Sequence, residues 1–255
     1  MHDTSVDRPV SIGLDAPRAI DPLTRAAASP GGSRRPQEIR SPLHLSSIWR
    51  AYDRCPVRTR VHAVLRYLAC PYQALAHYVP REGTVLDIGC GHGLLALALD
   101  ARDPQGSRRY VGIDHAPGKI ASARTLPVPS ALFLDAALED IPSERYDCVT
   151  LVDVLYTVPL AEWPALLSSC RRVLRPGGVL VAKEAVDTPR WKYWLTYLEE
   201  MLAVCAFKLT KGGIPHFESV ETHRRSIESA GFHVVSVARL DAWRPHAHCL
   251  FVAEK

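Results

Sequence analysis

Residues 85–99 limit what this chain can fold into more than any other stretch. Val85-Leu86-Asp87-Ile88 is an apolar run holding one acid, and Gly89-Cys90-Gly91-His92-Gly93 follows with glycines at alternate positions. An apolar run of this length reads as a parallel strand buried on both faces. Glycines without a Cβ let the chain turn sharply and let a bulky ligand approach the backbone. The apolar run Leu94-Leu95-Ala96-Leu97-Ala98-Leu99 then starts a helix, whose first N–H groups lack intrahelical partners and face the same place. Strand, glycine turn and helix together make a cradle of nucleotide size.

The spacing narrows the occupant. A dinucleotide fingerprint requires Gly-x-Gly-x-x-Gly, with pyrophosphate on the helix N-terminus. Here Gly93 comes one position early and Leu94 stands where the third glycine should be. Asp87, two residues before the first glycine, would repel a pyrophosphate but suit a cation or an amine. A nucleotide-dependent oxidoreductase on a similar sheet is the alternative, and Leu94 argues against it, as does the lack of a suitable Tyr-x-x-x-Lys pair. A non-catalytic protein that keeps the pocket is a third reading.

The chain has 255 residues, 47% of them hydrophobic, enough for one domain with a large core plus appendages. The net charge of +4 is spread out, which does not favour nucleic acid as a partner. Seven scattered cysteines without a Cys-x-x-Cys pair suit a reduced, cytoplasmic protein, with neither a disulfide framework nor a bound metal expected. No unbroken run of 18 apolar residues suggests a membrane span.

Residues 1–41 carry five prolines, Gly31-Gly32 and no apolar period, and read as a disordered arm. Residues 42–80 read as a helical cap, in which Val61, Val64, Leu65 and Leu68 have the spacing of one buried helix face. From 81 to 255 strands alternate with helices. Strands are expected at 84–88, 109–114, 132–135, 146–152, 179–183, 233–240 and 249–253. Arg175-Pro176-Gly177-Gly178 stops the helix before the fifth strand, and a short link makes the last two strands a hairpin. The expected fold is α/β: a doubly wound, mostly parallel seven-stranded sheet with an antiparallel last strand and helices on both faces.

Ligands on such sheets bind outside the strands' carboxyl ends. Gly89, Gly91 and Gly93 follow the first strand, Asp114 ends the second, Asp135-Ala136 the third, and Asp153 with Tyr156 follows the fourth. An acid at Asp114 can accept both hydroxyls of a ribose. Asp87-x-Gly89-x-Gly91-x-Gly93, Gly112-Ile113-Asp114, Asp135-Ala136, Tyr146-Asp147-Cys148-Val149 and Leu174-Arg175-Pro176-Gly177-Gly178 resemble successive motifs of the class I S-adenosylmethionine-dependent methyltransferases. The resemblance covers roughly residues 80–255. It implies that Asp87, Gly89, Gly91 and Gly93 cradle the methionine part of S-adenosylmethionine, that Asp114 holds the ribose, and that His115, Lys119, Asp135 and Ala136 lie by the adenine, with Asp153 nearby. His115 departs from the family, where an apolar residue is common.

Such a cofactor carries the reactive methyl itself, so the protein's task is alignment, with a base where the acceptor atom needs one. Candidate bases are Glu184, directly after the fifth strand, His216, and His246 (with His248) opening the antiparallel last strand. An insertion at about 189–215 contains the aromatic, nearly all-apolar run 190–208, whose Trp191 and Trp194, with Tyr156, would wall an apolar acceptor pocket as a lid. A core or dimer helix is the plainer reading of that run, and a membrane-surface helix, weakened by its few cationic residues, is a third. The expected activity is methyl transfer to a small, lipid-like or aromatic acceptor, O-methylation being favoured, by a protein that could pair as a homodimer.

Overall fold

The computed structural model describes residues 43–187, 217–240 and 247–255. The arm assigned to 1–41, the insertion with Trp191, Trp194 and His216, and His246 lie outside the described residues.

Three helices come first: α1 (Leu45–Ala51), α2 (Val57–Ala69) and α3 (Tyr72–Leu75). Then follow β1 (Gly83–Ile88), α4 (Leu94–Arg102), β2 (Arg108–Asp114), α5 (Pro117–Ala123), β3 (Ala131–Asp135), β4 (Tyr146–Val152), α6 (Trp163–Val173), β5 (Leu174–Ala185), α7 (Val220–Ser229), β6 (His233–Arg239) and β7 (His248–Glu254). The sheet order is β3-β2-β1-β4-β5-β7-β6. The pairs from β3 across to β5 are parallel, and β7 is antiparallel to both β5 and β6. The expected sheet and its closing hairpin are therefore present. The strand order reverses between β1 and β4, which is where a ligand crevice opens in this class of sheet.

One core cluster joins α1–α5 to one side of the sheet, and another joins α6 and α7 to the other. This double cover explains why β4 is buried from Cys148 to Val152, a run apolar at every position but Thr150. It also explains α4, where every residue from Leu94 to Leu99 is buried. At the start of α7 the Ser219 side chain accepts the Thr222 N–H, the usual way to satisfy a first-turn donor.

Two expectations are corrected. The Val61/Val64/Leu65/Leu68 stripe of α2 is not its buried face: Val61, Leu65 and Leu68 are 41%, 57% and 52% exposed, while Thr59 and Ala63 are buried. Ala63 is small enough to bring the helix close to the core, and periodicity marks a stripe without saying which side meets a neighbour. The fifth strand is also longer than the expected 179–183. It begins at Leu174, opposite Tyr146, and pairing resumes at Val179 opposite Cys148, so Arg175–Gly178 bulges out with Gly177 at φ +73°.

Candidate active site

The glycine turn is built as its spacing requires. Gly89, Gly91 and Gly93 all have left-handed φ, at +71°, +56° and +84°. A Cβ on Gly89 would sit 2.8 Å from Val154 Cγ2, and one on Gly93 would sit 2.7 Å from Leu126 Cδ1, so both sites are closed to side chains. At Gly91 a Cβ would meet nothing within 4 Å, which makes this the open floor of the cradle. Gly93→Ala is expected to destabilise the protein by roughly 1–3 kcal/mol, combining a left-handed alanine with overpacking against Leu126 and Phe133. Urea unfolding with an unchanged m-value would measure it.

Asp114 ties the cradle to the next strand end. One carboxylate oxygen accepts the Gly91 N–H at 3.0 Å and the other accepts the Ala116 N–H at 2.9 Å. It therefore fixes the floor and stands beside it. Asp135 pairs in register with Asp114 on the neighbouring strand and is exposed. His115 is exposed, while Lys119 and Ala136 are half-buried nearby in sequence.

Asp87 does not lie in the mouth as expected. It is 2% exposed, accepts a hydrogen bond from Tyr110 Oη, and accepts another from Thr150 Oγ1 at 2.6 Å. Its carboxylate is occupied inside the sheet, below the turn it supports. Burial raises its pKa from 3.8 to about 6, against the pull of the Thr150 and Tyr110 hydroxyls.

The region after β4 carries the densest electrostatics. Asp153 has φ +59° and is buried, with Lys183 Nζ at 2.5 Å from one oxygen and Arg66 Nη2 at 2.6 Å from the other. Burial alone would raise its pKa, but Lys183 and Arg66 hold the carboxyl well below its ordinary range. Both oxygens are thus engaged by the protein's own cations, so Asp153 joins α2 to β5 and is not free to bind a cofactor as expected.

Glu184 is fully buried. Its Oε1 accepts the N–H groups of Val154 and Leu155 at 3.1 and 3.0 Å, and Oε2 lies 3.5 Å from the Tyr156 N–H. These bonds cap the tight turn Leu155–Thr157, so the carboxylate expected as a candidate base is engaged, inside the fold, in organising that turn. Trp163 Nε1 holds the same turn by donating to Leu155 and Val158 carbonyls at 3.0 Å. Tyr156 is buried here, its ring 5.3 Å from that of Phe217.

Burial, with Asp153 close by, raises the Glu184 pKa from 4.5 to about 8 despite the backbone donors. Between those pH values the folded state holds a proton that the unfolded state has released. Stability therefore falls as pH rises from about 4.5 to about 8. Glu184→Gln removes this dependence, so unfolding free energies of the variant across that range should slope less steeply than those of the wild type. Parallel slopes would contradict the shift.

The N-terminal helices reach the cradle through three contacts. Tyr52 Oη donates to the His92 carbonyl at 2.8 Å, His62 meets the His92 ring edge-on at 5.2 Å, and Arg66 reaches Asp153. Burial lowers both histidines to about 4, so both rings are neutral at physiological pH. The buried His92 Nδ1 has no hydrogen-bond partner among the described residues. His248, grouped with His246 as a candidate base, is buried with Nε2 3.0 Å from the Ala69 carbonyl. Among the described residues no three His, Cys, Asp or Glu side chains are placed to hold a metal.

Sequence reasoning passed over Arg66, Lys183, Tyr52, His62 and His92. Lys183 did leave a signal, as a charge inside the apolar strand Val179-Leu180-Val181-Ala182. The others depend on contacts between distant segments.

The residues fit S-adenosylmethionine. The open floor at Gly91 admits its methionine part, a buried carboxylate lies below the turn, and Asp114 stands where a ribose diol can be held.

Comparison with known proteins agrees. A family model described as a methyltransferase domain matches residues 60–237. An uncharacterized methyltransferase of Schizosaccharomyces pombe is 30% identical over 191 residues, 66% of this chain and 71% of that protein. A ubiquinone biosynthesis O-methyltransferase of Xanthomonas oryzae pv. oryzae is 33% identical over 111 residues, 41% of this chain and 44% of that protein. Other curated relatives are matched over about half their length. The solved structure of the pyocyanin biosynthetic protein PhzM shares the fold, with a TM-score of 0.62 at 19% identity, covering 82% of this chain and 61% of that one. Glycine turn, strand-end acids, sheet order and family match converge: this chain belongs to the class I S-adenosylmethionine-dependent methyltransferases.

Proposed function

We propose that this protein transfers the methyl group of S-adenosylmethionine to a small apolar or aromatic acceptor, most readily at oxygen. The observation that carries the reading is the open, left-handed Gly91 floor held to Asp114 at the switch point of the sheet. In this reading Asp114 accepts the ribose hydroxyls, the backbone of residues 89–93 holds the methionine part, and Lys119, His115, Asp135 and Ala136 border the adenine. Bound S-adenosylmethionine supplies a methyl group activated by its sulfonium. The chain supplies alignment, and Glu184 fixes the turn that presents Tyr156.

The acceptor class rests on two supports. The buried Tyr156 ring, in the turn after β4, and the half-buried Phe217 ring lie 5.3 Å apart and offer an aromatic wall. The Xanthomonas relative is named as an O-methyltransferase of ubiquinone biosynthesis. A cytoplasmic setting is in keeping with the buried Cys55, Cys90, Cys148 and Cys170, which form no disulfide among the described residues. No helix among the described residues is long and apolar enough to cross a membrane.

The test is incubation of the pure protein with S-adenosylmethionine and a panel of small phenols, hydroquinones and fatty acids, followed by mass spectrometry. Expected are S-adenosylhomocysteine and one product heavier by a methylene unit. S-adenosylhomocysteine formation with none of these acceptors, alongside transfer to a protein or nucleic acid, would overturn the acceptor class.

A further inference from the structure

We propose that α1 and α2 form a docking surface for a membrane bearing anionic phospholipid headgroups. The argument begins with the inverted polarity of α2. Its buried side holds Thr59 and Ala63, while Val57, Val61 and Leu65, one turn apart, are 62%, 41% and 57% exposed. Leu45 and Trp49 of α1 add two more exposed apolar side chains. Arg60 pins the two helices together, its guanidinium 4.1 Å over the Trp49 ring and its Nε donating to the Trp49 carbonyl at 3.2 Å.

Charge selects the occupant. Residues 43–70 contain five arginines and one acid, Asp53. Arg66 is spent on Asp153 and Arg60 on Trp49. Arg50, Arg54 and Arg58 are exposed, and none enters an ion pair among the described residues. An apolar ridge carrying an exposed tryptophan and flanked by unpaired arginines matches the boundary between acyl chains and anionic headgroups. Each arginine near such a surface strengthens binding about fivefold. A second copy is disfavoured, because a twofold contact would set this patch against itself and bring like charges together.

Position gives the surface a use. The Tyr52 and Arg66 contacts hold α1 and α2 over the carboxyl end of the sheet, beside the cradle. A docked protein would present its site next to the bilayer, where an apolar acceptor accumulates. This last step rests on the acceptor class proposed above; the docking itself does not.

The test is co-sedimentation of the full chain with vesicles of phosphatidylcholine alone and of phosphatidylcholine with phosphatidylglycerol. Binding is expected to the anionic vesicles only and to weaken as salt is raised. Val61→Glu/Leu65→Glu and, separately, Arg54→Glu/Arg58→Glu should each weaken it at least about tenfold, with unchanged melting temperature and unchanged calorimetric binding of S-adenosylhomocysteine. Three results would overturn the proposal. The wild type could ignore anionic vesicles. Both variants could bind like the wild type, placing the contact elsewhere in the chain. A doubled mass in sedimentation equilibrium, abolished by Val61→Glu/Leu65→Glu, would assign the face to a second copy. Vesicle binding by a wild type that shows no calorimetric binding of S-adenosylmethionine or S-adenosylhomocysteine would sink the transferase reading alone.

Discussion

Replacing Asp153 with Ala is expected to destabilise the protein by about 3–5 kcal/mol, because it leaves a buried cation without its counter-charge. Lys183 is fully buried and its ammonium rests on one Asp153 oxygen. Arg66, a quarter exposed, can turn to water, but Lys183 cannot. For a chain of this size the loss corresponds to a melting temperature lower by roughly 6–20 °C. Asp153→Asn, which tolerates the same left-handed backbone and keeps one acceptor, should fall between the variant and the wild type. The pair also has a pH signature. Asp153 is held below its ordinary pKa, so its contribution is present above about pH 4 and is lost as the carboxylate protonates in acid. Thermal unfolding of the three proteins at neutral pH would decide. A loss below about 1 kcal/mol, the scale of an exposed pair, would mean that Lys183 is hydrated in solution.

The same cluster shows where sequence reading stops. The cradle was legible because its causes are local. Three glycines at alternate positions need positive φ, and the strand before them needs apolar residues for both covered faces. The parallel sheet and its antiparallel last strand were legible because repeated strand–helix units and a short final link require them. Asp153, Glu184 and Asp87 were also read as lying near the site, and they do. Their roles were not legible, since each is set by a partner on another strand or helix: Lys183 and Arg66 for Asp153, the N–H groups of residues 154–156 for Glu184, Tyr110 and Thr150 for Asp87. A carboxylate next to a cofactor cradle looks the same in sequence whether it faces the ligand or a buried lysine. The α2 stripe failed for a related reason, since hydrophobic period reports a face and not the surface that meets it.

Asp114→Ala is expected to weaken S-adenosylmethionine binding by at least about tenfold. Charge-assisted hydrogen bonds contribute about 1.5–3 kcal/mol each, and the diol would make two of them. The variant also frees the Gly91 and Ala116 N–H groups, so the floor itself loses definition. Asp114→Asn keeps acceptor capacity for one donor and should lose less. Stability must be followed in parallel, because a variant that simply unfolds would lose binding for another reason. The most direct test of the account is calorimetric titration of S-adenosylhomocysteine and of NAD into the wild type and into folded Asp114→Ala. The account predicts saturable binding of S-adenosylhomocysteine by the wild type, at least about tenfold weaker binding by the variant, and no heat with NAD. Equal affinities in the two proteins, or preference for NAD, would contradict it.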